Sequence, residues 1–441
     1  MAGAGTQPVL IAGGGIGGLA VAVGLAQKGI RSILLEKASA LGEIGAGIQL
    51  GPNAFHAFDY LGVGEAARNM AVYVDQLRLM DAMTAQEICH VDLGEAFRGR
   101  FGNPYAVVHR GDLHGVFLKA CRDSDLIDLR VSSEVVGYDQ DGSSVTAHLA
   151  SGDRVTGSLL IGADGLWSNV RKQVVGDGKP RVSGHTTYRS VIPTDQMPED
   201  LRWNAATLWA GTKCHLVHYP LSGWKVFNLV VTCHNDAPEP VAGKPVPEEE
   251  VMRGFAHIHE RALDIIRHGT NWKLWVLCDR DPTERWIDGR VVLLGDAAHP
   301  MLQYFAQGAC QAMEDAVCLS HMLSQTPDDH AIALEYRFAL EDVVEPFEIG
   351  QSAWRNLAPR PALRPQETGP RRIRRVAVGI HAEFGNQYFG FCGIGIEHAK
   401  SYEHIVSRRL DDPMIRRFRR LLARTDEQIF GPSALIRARL P

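Results

Sequence analysis

The chain has 441 residues, of which 45% are hydrophobic and 22% are charged, so it can bury a large core in two packed subdomains. Its formal net charge of -5 gives no reason to expect a basic surface that binds nucleic acid. No low-complexity tract or repeat stands out. Eight cysteines without a Cys-x-x-Cys pair favour reduced thiols over a disulfide framework or zinc site, and no signal peptide precedes the first strand, so we expect a cytoplasmic protein.

The first predicted unit occupies residues 8–36, which read PVLIAGGGIGGLAVAVGLAQKGIRSILLE. Residues 9–12 predict a short buried strand, residues 17–29 a helix, and residues 31–36 a second strand. The turn between the first strand and the helix has the pattern G-x-G-x-x-G, and the second strand ends in an acid. The candidate binding residues of this unit are Gly13, Gly15, Gly18 and Glu36.

This order of strand, glycine turn, helix and acid is typical of a dinucleotide site. Glycines let the backbone approach a pyrophosphate, the helix N-terminus offers N–H groups to the anion, and the carboxylate can accept hydrogen bonds from ribose hydroxyls. One alternative is a tight turn that binds no ligand. Another is a membrane span, because residues 8–26 carry no charge, but the many glycines and the regular motif argue against it.

The middle of the chain changes from mixed to antiparallel patterning. Residues 74–93 predict a hairpin and residues 112–122 a helix. From about 184 to 278 strands follow one another, with one helix near 248–267, which indicates an antiparallel sheet inserted into an α/β chain. Beyond about residue 350 the chain is rich in Arg and Pro, and there a solvated surface segment is favoured over an anion or partner site.

Three motifs then occur in order: the glycine turn with Glu36, Asp164-Gly165 in GADGLWSNVR, and Gly295-Asp296 in LLGDAAHP. Together they resemble the single-component flavoprotein aromatic hydroxylases, the class A monooxygenases, over about residues 8–345. The resemblance implies bound FAD, NADH or NADPH as a transient reductant, and O₂. It also implies that Arg110 in HRGDL contacts the flavin and that Asp164 has both a structural and a binding role.

The residues of the third motif support a flavin site on their own chemistry. A strand that ends in Gly295-Asp296 can present a carboxylate to a ribityl hydroxyl, and a helix that begins near Gln307-Gly308 can aim its positive end at the flavin pyrimidine ring. The alternative is that Asp296 caps this helix. On these residues alone the two interpretations are equal, and the other two motifs favour the flavin.

The expected fold is α/β, with a Rossmann-like FAD-binding domain, an inserted antiparallel β-sheet substrate domain and a C-terminal helical segment. The FAD-binding domain is expected to be discontinuous, from residues 1–73, 94–180 and 279–345. The substrate sheet takes residues 74–93 and 181–278, and residues 346–441 form the C-terminal segment, which does not resemble the family. We also expect a homodimer.

Within the class, four stretches resemble the 3-hydroxybenzoate 6-hydroxylases, with salicylate and 6-hydroxynicotinate hydroxylases as near relatives. They are EIGAGIQLGPNA, FRGRFGNPYAVVHRGDLH, KCHLVHYPL and HPMLQYFAQGACQAMEDA. The resemblance places His215, Tyr219 and Gln303 at the substrate site. It implies that a flavin C4a-hydroperoxide hydroxylates a phenolic acid para to its hydroxyl, which converts 3-hydroxybenzoate to 2,5-dihydroxybenzoate (gentisate).

Strand alternation groups these residues. His215, Val217 and Tyr219 share one face and His218 lies on the other, so a change at His218 should leave activity near that of the parent. Strand periodicity does not show which of the two faces meets the flavin. The family resemblance indicates that it is the face of His215. We expect His215 to act as base, Gln303 to hold the phenolic oxygen, and Tyr219 to bond that oxygen or the carboxylate.

Other functions remain open at this point. Within the class they are a salicylate 1-hydroxylase and a 6-hydroxynicotinate 3-monooxygenase. From other classes they are an NAD-dependent dehydrogenase that uses only the first motif, and a flavin-binding protein without turnover.

Overall fold

The computed structural model describes residues 7–42, 47–283 and 285–325. The predicted C-terminal segment, residues 346–441, lies outside the described residues. Every helix in the described part of the chain is too short or too polar to cross a bilayer. Residues 8–26, which carry no charge, divide between a strand and a helix.

The strands, in chain order, are β1 Val9–Ala12, β2 Ser32–Leu35, β3 Gly47–Leu50, β4 Val72–Tyr73, β5 Gln76–Asp81, β6 Glu87–Asp92, β7 Ala106–His109, β8 Ile127–Arg130, β9 Val135–Gln140, β10 Val145–Leu149, β11 Arg154–Gly157, β12 Leu159–Gly162, β13 Arg181–Pro193, β14 Ala205–Gly211, β15 Cys214–Leu221, β16 Val226–His234, β17 Lys244–Pro245, β18 Thr270–Asp279, β19 Ile287–Asp288 and β20 Val291–Leu293. The α-helices are α1 Ile16–Gln27, α2 Pro52–Tyr60, α3 Gly64–Met70, α4 Glu95–Phe101, α5 Arg110–Arg122, α6 Asn169–Val174, α7 Glu248–Phe255, α8 Glu260–Arg267 and α9 Gly308–Gln325. Short 3₁₀ turns occupy Glu199–Leu201, Gly295–Ala297 and Gln303–Phe305.

The first sheet has the strand order β19-β20-β12-β1-β2-β8 and is parallel except at β19. Strands β1 and β12 are buried along their whole length, as their unbroken apolar runs predict for a parallel sheet covered on both faces. Helix α1 packs against α5 and α9 on one face. The α/β fold expected from the sequence is confirmed.

The second sheet has the order β17-β18-β13-β16-β15-β14-β5-β6 and takes its strands from two separate parts of the chain. Strands β13, β16, β15 and β14 are antiparallel neighbours. The β5–β6 hairpin joins through a parallel pair between β5 and β14, which departs from the antiparallel sheet that the sequence predicts, because β5 comes from a separate part of the chain and no hairpin links it to β14. Two three-stranded sheets, β3-β7-β4 and β11-β10-β9, complete the arrangement. The exact division into domains stays a prediction.

One side of the second sheet is covered by α7 and α8, whose apolar residues pack on those of β15 and β16. The prediction of one helix near 248–267 was wrong, because the segment forms these two helices. The break lies at His259, whose backbone is extended (ψ 145°) and whose Nδ1 accepts a hydrogen bond from the Arg261 amide at 3.1 Å. This cap starts a new helix where one continuous helix was expected.

Candidate active site

The three sequence motifs follow neighbouring strands of the parallel sheet. Since β20, β12, β1 and β2 lie side by side in the same direction, the residues that follow their carboxyl ends meet at one edge. Those residues are Asp296, Asp164, Gly13 and Glu36. This edge is where open α/β sheets bind their ligands.

The glycine turn is sterically closed to larger residues. Gly13 has φ +105°, and a Cβ there would lie 2.4 Å from the Ala163 carbonyl oxygen. A Cβ on Gly18 would lie 2.0 Å from the carbonyl oxygen of Gly13. Gly15 is the N-cap of α1 and provides no side-chain cap, so the first N–H groups of α1 remain suited to an anion such as a pyrophosphate.

Glu36 lies against the same turn. Its Oε2 accepts a hydrogen bond from the Gly14 amide at 2.6 Å and its Oε1 accepts one from Ala38 at 2.8 Å. A carboxylate offers about four lone-pair positions, so each oxygen can still accept a ribose hydroxyl. The two backbone bonds orient the carboxylate for that contact.

Asp164 shows its structural role directly. Its Oδ1 accepts a hydrogen bond from the Ser168 hydroxyl, and its Oδ2 accepts bonds from the amides of Asn169 at 2.8 Å and Val170 at 3.2 Å. Burial raises the pKa of Asp164, and these donors oppose the rise. The carboxylate therefore caps α6, and its additional binding role stays a prediction.

Asp296 is different, because its carboxylate has no hydrogen-bond partner among the described residues, although surrounding protein raises its pKa by desolvation. A Cβ on Gly308 would lie 3.8 Å from Asp296 Oδ1, so the carboxylate lies beside the start of α9. It accepts no bond from that helix, which disfavours the capping interpretation. Asp296 itself is exposed, so both of its carboxylate oxygens are open to a ligand that brings hydroxyl groups.

Asp315 of α9 anchors the loop that carries Asp296 through hydrogen bonds. The Asp315 carboxylate accepts hydrogen bonds from the Gly295 amide at 2.8 Å and from His299 Nε2 at 2.6 Å. Burial disfavours the charged form of His299, but Asp315 overcomes this and raises the pKa of His299 to about 9. Arg110, the first residue of α5, lies close enough for its charge to oppose the rise in the pKa of Asp296.

The second sheet presents His215 and Tyr219 on one face and His218 on the other. His218 is 0% exposed, and its Nε2 accepts a hydrogen bond from Trp209 Nε1 at 3.1 Å within the core beneath α7 and α8. Burial, with the nearby charge of Arg78, lowers the pKa of His218 to about 3. His218 is therefore a neutral core residue, as strand alternation predicts.

His215 is 9% exposed and pairs across the sheet with Thr232. The ring of Tyr304 meets the His215 ring edge to face, with centroids 5.5 Å apart. The Tyr304 hydroxyl bonds His185 Nδ1, and the His185 ring stacks on His234 at 3.7 Å. His215 thus adjoins a cluster of polar rings that the motifs alone did not reveal.

Tyr219 is 3% exposed and lies on the same face as His215, four residues further along β15. A Cβ on Gly47 would lie 2.8 Å from the Tyr219 hydroxyl, and the Gly47 amide donates to Asn228 Oδ1 at 2.9 Å. Burial raises the pKa of Tyr219 well above its ordinary value, which the charge of Arg189 only partly opposes. Tyr219 therefore remains a neutral hydrogen-bonding group.

Gln303 reaches the same face from the loop between β20 and α9. Its Nε2 donates to Thr187 Oγ1 and Thr232 Oγ1, both at 3.0 Å, and its Oε1 accepts from Arg189 Nη2 at 3.1 Å. Since Thr232 pairs with His215, the structure brings Gln303 beside the candidate base. Sequence reasoning missed Arg189, and the signal was its alternation with Thr187 along β13.

Comparisons with known proteins show the family to which the chain belongs. The FAD binding domain family matches residues 6–332. The 3-hydroxybenzoate 6-hydroxylase 1 of Aquipseudomonas alcaligenes is 58% identical over 331 residues, which cover 75% of this chain and 84% of that protein. The 6-hydroxynicotinate 3-monooxygenase of Bordetella bronchiseptica is 31% identical over 332 residues, covering 75% and 86%.

A solved structure gives the same result for the fold. HpxO of Klebsiella pneumoniae, complexed with FAD and uric acid, is 27% identical with a TM-score of 0.66, over 75% of this chain and 83% of that one. Residues 6–332, which match the FAD binding domain family, include the glycine turn and the two strands that Asp164 and Asp296 follow. The chain therefore belongs to the class A flavoprotein aromatic hydroxylases and is an FAD-dependent monooxygenase.

Proposed function

We propose that this enzyme uses NADH or NADPH and O₂ to hydroxylate 3-hydroxybenzoate at carbon 6, which gives 2,5-dihydroxybenzoate (gentisate). The observation that carries the proposal is the convergence of Gln303 and His215 through Thr232, with Tyr219 on the same face. Two relatives that are 58% and 49% identical are 3-hydroxybenzoate 6-hydroxylases, which favours this substrate over that of the 31% identical 6-hydroxynicotinate relative. The homodimer and the cytoplasmic location remain proposals.

In the proposed reaction the cofactor and the residues of the site have separate roles. FAD, when bound, supplies the reduction of O₂ and the transfer of one oxygen atom to the ring. The glycine turn, Glu36 and Asp296 hold it. His215 removes the phenolic proton, which raises electron density at the carbons ortho and para to the hydroxyl, and carbon 6 is the para position. The buried face excludes bulk water around this proton transfer.

Product identification tests the proposal. The FAD-loaded enzyme is supplied with NADH or NADPH and either 3-hydroxybenzoate or salicylate, and products are separated chromatographically. We expect gentisate from 3-hydroxybenzoate and little product from salicylate. If salicylate gives catechol and CO₂ faster than 3-hydroxybenzoate gives gentisate, the chain is a salicylate 1-hydroxylase and the proposal is wrong.

Removal of the Asp296 carboxylate tests how FAD is held. Asp296→Ala should weaken FAD binding by tens-fold, because a hydrogen bond to a charged group contributes about 2 kcal/mol. Titration of the apoenzyme with FAD measures the affinity. Asp153→Ala, in the exposed turn before β11, is the matched control and should bind FAD like the parent. Equal affinity of both variants and the parent would remove Asp296 from the cofactor site.

A further inference from the structure

Arg189 is a cation with an unusual set of partners. It lies on β13, its guanidinium donates to Gln303 Oε1 at 3.1 Å, and it lies over the Trp275 ring at 5.3 Å. No carboxylate among the described residues contacts it, and its Nε has no acceptor there. Burial lowers the pKa of Arg189, and the nearby charge of Arg110 lowers it further.

A largely buried cation without an anion is costly, and an anionic ligand would offset that cost. Arg189 and Thr187 are two residues apart on β13 and therefore share a face. Thr187 contacts Gln303, and the charge of Arg189 acts on Tyr219. The guanidinium thus lies on the sheet face that carries His215, Tyr219 and the Gln303 contacts, the proposed substrate face.

The hydrogen bonds of Gln303 show what the site lacks. Arginine has only donors, so Gln303 must turn Oε1 toward Arg189 and Nε2 away from it. Both Nε2 hydrogens are then used by Thr187 and Thr232. Gln303 can accept a hydrogen bond from a phenol through Oε1, but it has no hydrogen left for a phenolate oxygen. The donors that remain on this face are the Tyr219 hydroxyl, His215 once it has taken the proton, and the Arg189 guanidinium, and of these three only the guanidinium carries a permanent charge.

We propose that Arg189 is the cation that pairs with the phenolate oxygen of the bound substrate. This inference rests on the proposed function. In the step concerned, the phenol O–H bond breaks, His215 takes the proton, and the electron pair stays on the oxygen, which then accepts an N–H bond from Arg189. No electron leaves the ring. Arg189 also fixes the Gln303 carboxamide, so it both positions that residue and supplies charge.

The test measures ionisation of bound ligand without reductant, so it does not depend on turnover. FAD-loaded parent, Arg189→Met and Arg189→Lys are saturated with 3-hydroxybenzoate, and phenolate absorbance is followed against pH. We expect Arg189→Met to ionise its ligand about 1–3 pH units higher than the parent, the effect of losing an adjacent opposite charge. Arg189→Lys should recover most of this shift. Benzoate, which lacks the hydroxyl, should bind parent and Arg189→Met alike.

Lys273 provides the matched control, because it is an exposed cation paired directly with Arg189 across the sheet. Lys273→Met should ionise the ligand as the parent does. An unchanged ionisation in both Arg189 variants would overturn the inference, and so would an equal loss of benzoate and 3-hydroxybenzoate binding, which would assign Arg189 to the carboxylate. Product identification with the parent tests the proposed function separately.

Discussion

Replacement of His215 by alanine is expected to leave FAD binding and flavin reduction intact while hydroxylation falls by about 10²–10⁴-fold. That loss corresponds to about 3–5 kcal/mol of barrier, the contribution of a positioned base. His215 lies beside Tyr304 and beside Thr232, which Gln303 contacts, and the described contacts of Glu36 and Asp296 do not involve it. NADH should therefore still be oxidised, but with H₂O₂ in place of gentisate.

The measurement is the ratio of gentisate formed to NADH consumed, with peroxide quantified in parallel. His218 supplies the control on the opposite face, but the structure changes the choice of variant. Because His218 accepts a core hydrogen bond from Trp209, His218→Ala would leave that donor unsatisfied at a cost of about 1–3 kcal/mol in stability. His218→Gln keeps an acceptor and should stay coupled. If His215→Ala is also fully coupled at the parental rate, His215 is not the base.

Replacement of Arg171 by methionine is expected to lower the free energy of unfolding by about 3–5 kcal/mol, because buried carbonyl oxygens lose their donor at about 1–3 kcal/mol each. Arg171 is 0% exposed. Its Nη1 donates to the carbonyl oxygens of Ala297 at 3.1 Å and Ala298 at 2.7 Å, and its Nε donates to Asp177 at 2.8 Å. The side chain thus ties α6 to the turn that carries Asp296, and FAD retention should fall with stability.

Urea unfolding of the FAD-loaded variants checks this expectation. Arg181 is the matched control, because it also forms two ion pairs, with Asp279 at 2.7 Å and Asp281 at 2.6 Å, but it is exposed. Exposed pairs contribute up to about 1 kcal/mol, so Arg181→Met should be nearly as stable as the parent. Equal unfolding midpoints for both variants would show that the contacts of Arg171 are not what holds the turn.

The sequence could predict the parts of the site that depend on local order. Glycine spacing, strand ends and helix starts lie within a few residues of one another, so the candidate cofactor residues Gly13, Glu36 and Asp296 follow from short-range rules. Alternation along β15 likewise separates His215 from His218.

Long-range contacts were beyond such rules. Gln303 bonds Thr187 and Thr232, which lie 116 and 71 residues earlier in the chain, and no periodicity relates those positions. Arg189 carries no motif of its own in TTYRSVIP, and only the folded sheet shows that it is enclosed without a carboxylate. The break between α7 and α8 depends on the His259 cap, a contact that hydrophobic periodicity does not encode.

Under the proposed function one oxygen atom of O₂ enters 3-hydroxybenzoate at carbon 6, and isotopic labelling follows that atom. The FAD-loaded enzyme turns over with NADH or NADPH under isotopically labelled O₂ in ordinary water, and the product is analysed by mass spectrometry and NMR. We expect gentisate with one labelled oxygen, in the hydroxyl on the carbon next to the carboxyl-bearing carbon and para to the original hydroxyl. A product without label, a label at another ring position, or reductant consumed with all labelled oxygen recovered as peroxide would contradict it.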